Sequence, residues 1–137
     1  MAPHSTNYTN TFITVAADCP VTAAQEPPDG KGPTIASLQF GLLTAPGARM
    51  TSDDLLFTVQ ALRTGVKENE QATARTAFFD KPQACLRSSP LAKRYGWGLL
   101  HDADGHVTLL PVGSAEYRQA AADPDLTVVA AMRSKRA

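Results

Sequence analysis

The sequence has no excess of either charge sign: 13 Lys and Arg balance 13 Asp and Glu. A protein that grips long nucleic acid draws most of its affinity from neutralising phosphates with a net basic surface. That class is excluded, and only local basic patches remain to be explained. Long hydrophobic runs are missing as well. Nothing approaches the ~20 consecutive apolar residues of a membrane-spanning helix. The opening segment, MAPHSTNYTN, lacks a charged start followed by an apolar stretch, so no secretory signal is read there. Cysteine is scarce: Cys19 and Cys85 are the only two, far apart and in no Cys-x-x-Cys pair. Without an export signal they are expected as reduced thiols in a cytoplasm rather than as a disulfide.

What is present fits an ordinary folded domain. Hydrophobic residues make up 43% and charged residues 19% of the 137, close to the globular norm and far from disorder. The length predicts one domain over 1–137, with 1–8 and 133–137 frayed and 21–33 a loop, since VTAAQEPPDGKGP holds three Pro and two Gly. TNTFITVAADCP (9–20) reads as a strand. Residues 35–44 and 54–62 are ambiguous between helix and strand. Ile35, Leu38 and Leu42 have helical spacing after Thr34 as N-cap, yet Ala36, Leu38, Phe40 and Leu42 alternate. Leu55, Val59 and Leu62 fall on one helical face, while Leu55, Phe57, Val59 and Ala61 alternate. Thr51 or Ser52 as cap, Asp53 and Asp54 at the positive end of the helix dipole, and Gly65 as stop favour helix in the second case. Ser89-Pro90 opens a short helix that ends at Gly96. WGLLHD and HVTLLPV flank the turn residues of a hairpin, Ser114 caps AEYRQAAA, and LTVVAAM is a last strand or a helix. The sum is an α+β fold: a small antiparallel sheet, from the N-terminal strand plus the 97–112 hairpin, covered by several helices on one face.

The chemistry-bearing residues concentrate in CLRSSPLAKRYGWGLLHDADGHVTLL (85–110). Cys85 with His101 or His106 suggests a thiol–imidazole pair, against the ordinary role of a free cysteine as a small buried hydrophobe. His101 and His106 across the hairpin suggest a metal pair with Asp102 or Asp104, but Asp-Ala-Asp-Gly is sufficient as turn chemistry, so no metal is expected. Nor does any segment imply a cofactor. Arg87, Ser89, Lys93 and Arg94 gather hydroxyl, cations and a helix start into an anion site, although Lys93 and Arg94 also suit a helix C-terminus. Tyr95 and Trp97, set among Gly96 and Gly98, suggest a stacking surface or a seal between sheet and helix.

Three blocks, NTFITVAADCP, TSDDLLF and CLRSSPLAKRYGWGLLHDADGHVTLL, resemble an uncharacterised family of small single-domain, mostly bacterial proteins, a domain of unknown function. The likeness runs from about Asn10 to the AMRSKR end, and SPLAKRYGWG is its specific part. The resemblance implies a compact cytoplasmic domain and supplies no activity, cofactor or catalytic residue. The residues themselves favour a binding module for a small anionic ligand or a partner protein, centred on Arg87, Ser89, Lys93, Arg94, Tyr95 and Trp97. An enzyme using Cys85 and His101, and a self-associating protein forming a homodimer through its aromatic hairpin, are the alternatives.

Overall fold

Thr34 and Thr51 settle the two ambiguous segments. Each closes a capping box, its hydroxyl accepting from the N3 backbone N–H while the N3 side chain returns the bond. Behind them run α1 (Ile35–Thr44) and α2 (Ser52–Thr64). The computed structural model describes residues 5–134. Within them β1 (Thr11–Thr14) comes first, and α3 (Gln71–Phe79) follows α2. Pro90–Arg94 forms α4, with Ser89 as N-cap and Pro at its first position. The chain then makes β2 (Trp97–His101), β3 (Val107–Pro111), α5 (Ala115–Ala122, capped by Ser114) and β4 (Thr127–Ala130). Residues 21–33 hold no helix or strand. The ends expected to fray, 1–8 and 133–137, lie partly outside the described residues. Inside them, Thr6 donates to Asp53 and Tyr8 reaches Cys85.

The four strands form one open sheet in the order β3-β2-β1-β4. The expected antiparallel core is there: β1 pairs with β2 and β2 with β3. β4 departs from it, lying parallel to β1 with Phe12 opposite Val128. The reason is α5. A helix carries the chain from β3, on one edge, over the sheet to the other edge, and such a crossover delivers the next strand in the same direction.

That crossover also corrects the expectation of helices on one face only. Ile13, Leu99 and Val107 point toward α1, α2 and α4 and pack with Ala36, Leu43, Leu55, Val59, Leu86 and Leu91. The opposite face buries Phe12 and Leu110 under Ala120 of α5, with Tyr117 edge-on to Phe12 at 5.0 Å. A third cluster joins α2 to α3 through Phe57, Ala61 and Phe79. The two aromatic-flanking glycines belong to this packing. A Cβ on Gly98 would stand 2.6 Å from the Phe12 ring and 2.8 Å from Tyr117. Gly96 combines φ +82 with Ala23 and Ala24 backbone only 3.0 and 3.1 Å from where a Cβ would be.

Candidate functional site: a basic cleft beside α1

Lys93 and Arg94 occupy the last turn of α4, half-buried and exposed respectively. Opposite them the glycine-proline segment Gly30–Pro33 leads into the N-terminus of α1, and Arg63 comes from the last turn of α2. These elements enclose an open cleft of about 690 Å³ whose walls include Lys31, Arg63, Lys93, Arg94, Tyr95 and Ser88. Among the described residues, four cationic residues and no Asp or Glu line this space. Among the described residues, none of the four takes part in an ion pair. Ile35 and Ala36, the first residues of α1, also border the cleft.

Of the six residues singled out in the sequence, three line this cleft. Lys93, Arg94 and Tyr95 converge. Ser89, Arg87 and Trp97 do not line the cleft. Ser89 is buried, donates to Gln39 Oε1 at 2.6 Å and accepts from Leu91 N–H, so its hydroxyl is fully engaged inside the protein. Arg87 Nε donates to the Ala130 carbonyl at 2.8 Å, and its own carbonyl accepts from Met132 N–H, which fastens this turn to the end of β4. The Trp97 indole N–H donates to Gln25 O at 2.8 Å and its ring tilts on Phe40 at 5.3 Å, holding the 21–33 loop to α1. Lys31 and Arg63 escaped the sequence reading because they reach the cleft from remote segments. Their only local signal was a Gly-Lys-Gly-Pro run just before a helix cap.

A second cluster brings Cys85 and His101 near each other through a residue not singled out, Tyr8. Its hydroxyl lies 3.1 Å from Cys85 Sγ, and its ring meets the His101 ring edge-on at 5.3 Å. The thiol–imidazole pair itself is not formed. His101 is fully buried. Its Nδ1 faces the Leu99 carbonyl at 3.2 Å, and since a carbonyl only accepts, Nδ1 carries the proton. Nε2 then holds a lone pair with no hydrogen-bond partner among the described residues. Burial depresses the His101 pKa, opposed by the Leu99 and Thr11 carbonyls and by Asp102. Tyr8 shifts the other way, to about 12, chiefly by burial and then by its contact with Cys85. Both Cys85 and Cys19 are free thiols.

The hairpin register separates the two histidines proposed as a metal pair. His101 lies opposite Val107, which leaves His106 across from Asp102 and on the other face. Asp102, Asp104 and His106 do bring ligand atoms within 4.8 Å of one another on the exposed turn. Asp102 Oδ1, however, accepts the backbone N–H groups of Asp104 and His106 at 2.9 and 2.8 Å. Those bonds lower its pKa, the His106 N–H most, and account for the cluster as turn chemistry. Three ligands also fall short of the four of a structural zinc site or the about six to eight of calcium.

Asp53 and Asp54 are structural as well. Asp53 accepts from Ser5, Thr6 N–H and the Thr6 hydroxyl. Asp54 closes the α2 capping box and pairs with Arg75 at 2.9 Å. Burial raises the Asp54 pKa, but the Thr51 and Arg75 bonds outweigh it and hold the group below the usual carboxylate value.

No helix among the described residues is long and apolar enough to cross a membrane. Comparison with curated proteins and with solved structures finds no match to either. The match that exists is to a family model covering residues 3–137, essentially the whole chain, and it shows that the chain belongs to DUF6157, a family of unknown function.

Proposed function

We propose that this protein binds a small anion, a phosphate or carboxylate compound, in the cleft between Gly30–Ala36 and α4. The observation that carries this reading is the set of four cations, Lys31, Arg63, Lys93 and Arg94, around about 690 Å³ of open space with no acidic residue in the walls. In a neutral chain such a concentration of one sign creates a local field that draws and holds anions. The N-terminus of α1 adds the positive end of a helix dipole. Arginine supplies bidentate geometry for phosphate or carboxylate, and lysine a mobile point charge. The free thiols of Cys19 and Cys85 support a reducing, cytoplasmic setting.

The test is a thermal-shift and titration series with inorganic phosphate and small dicarboxylates. A ligand at 100 times its dissociation constant adds ~2.7 kcal/mol to stability. Phosphate is expected to raise the melting temperature. Arg63→Ala and Lys93→Ala should abolish that rise, whereas Arg87→Ala, outside the cleft, should preserve it. Melting temperatures indifferent to every anion would refute the reading.

A further inference from the structure

The basic cleft does not end at its cationic walls. Ile35 and Arg63 line it and also line a smaller cleft of about 210 Å³ between α1, α2 and the end of α3, walled by Leu56, Val59 and Phe78. Pro33 and Arg63 also line a hollow formed with Leu38 and Leu62. Exposed large hydrophobic side chains are few among the described residues, and two of them, Ile35 at 41% and Leu62 at 56%, stand at this junction. An isolated phosphate would occupy the cationic end and leave the apolar walls in water. A ligand with an apolar tail covers both, and burying apolar surface is the favourable term an inorganic ion cannot supply.

Resting on the anion-binding reading above, we propose that the ligand is an amphiphilic anion. Its phosphate or carboxylate head is held by Lys31, Arg63, Lys93 and Arg94, and a short unbranched alkyl tail passes Ile35 into the smaller cleft. Arg63 is the residue common to both clefts, and a side chain with an apolar stem and a charged end suits the junction of head and tail. On this wall the buried Gln39 carboxamide oxygen accepts from Ser89, and Gln83 Nε2 donates to the Phe78 carbonyl. At about 30 Å³ for a water-sized group, a cleft of about 210 Å³ takes about seven such groups, which limits the tail to roughly six to eight carbons.

Isothermal titration of the full chain with inorganic phosphate and with butyl, hexyl, octyl and dodecyl phosphate, each below its micelle concentration, tests this. Full burial of each added methylene corresponds to about a fourfold gain in affinity. The proposal expects a gain of that order up to about seven carbons and a plateau beyond. Alkanoates of the same lengths separate the two head groups; a chain-length gain with either supports the proposal, and the tighter series identifies the head. Octylammonium should not bind. Ala84→Phe, at an exposed position on the wall of the smaller cleft, should flatten the length dependence and leave inorganic phosphate binding intact. If octyl phosphate binds no tighter than phosphate, the amphiphile is overturned while the anion reading stands. Binding by no anion at all overturns both. Equal binding of octylammonium overturns the proposal too, by reducing it to adsorption on the apolar walls.

Discussion

At the scale of single residues, His101 is the side chain whose position determines most and explains least. Its place on β2 directs it into the main core, where one ring nitrogen is satisfied and the other is not. Such an orphan normally destabilises by about 1–3 kcal/mol, and protonating it in place would add a buried charge. The pH dependence follows from the sign of the shift. Burial lowers the folded pKa below the ordinary 6.5, so between those values the unfolded chain binds the extra proton. Stability from this group is complete above about pH 6.5 and falls as pH drops below it, with a limiting slope of about 1.4 kcal/mol per pH unit. His101→Phe should therefore give a flatter pH–stability curve between pH 6.5 and 5 than the wild type in urea titrations. The comparison is clean in that window because Asp54 and Asp102, whose pKa values are lowered, stay ionised throughout it. Identical slopes would show that the ring titrates normally and is hydrated.

At the scale of elements, α2 explains why alternation mimicked a strand. Leu55 and Val59 form one i,i+4 pair facing the sheet, and Phe57 and Ala61 form another facing α3. Two buried stripes interleaved on one helix produce a period of two without any strand. Only capping chemistry distinguished the cases, and it was local enough to be legible. The parallel β4 was less so, because its direction depends on where α5 crosses the sheet, which no pattern within LTVVAAM records. The sheet's two covered faces make a sharp test. Gly98→Ala drives a methyl into the rings of Phe12 and Tyr117, and Phe12 is wholly buried and has no room to yield. Overpacking of this kind costs about 1–3 kcal/mol. Gly41→Ala, in α1 with nothing within 4 Å of the new methyl, should instead stabilise by up to about 1 kcal/mol through helix propensity. Urea denaturation of both variants reads the contrast, and a neutral Gly98→Ala would mean the α5 face is loosely packed.

At the scale of the whole molecule, charge balance concealed the cleft. With 13 residues of each sign the sum is zero, yet the fold brings together Lys31, Arg63 and the Lys93–Arg94 pair from three separate stretches and places no acid among them. Sequence proximity revealed only the last pair, and it added Arg87, Ser89 and Trp97, which the fold uses internally for β4, Gln39 and the 21–33 loop. Residues adjacent in the chain can have opposite destinations, so a dense polar stretch does not by itself select which of its members share a surface. Cations kept for binding rather than for folding have a recognisable energetic signature. Arg63 and Lys93 make no ion pair among the described residues. Replacing both by Gln should cost no more than about 1–2 kcal/mol, the loss of two last-turn cations from the helix dipoles. The same double variant should lose phosphate binding. Wild-type affinity for phosphate should fall steeply as salt rises from 0.1 to 1 M, since the screening length contracts from about 10 Å to about 3 Å. Denaturant titration of the unliganded proteins and calorimetric titration at the two salt concentrations measure these effects separately. A large loss of stability in the double variant would assign both residues to the framework of the fold, and a salt-insensitive affinity would remove electrostatic attraction as the basis of recognition.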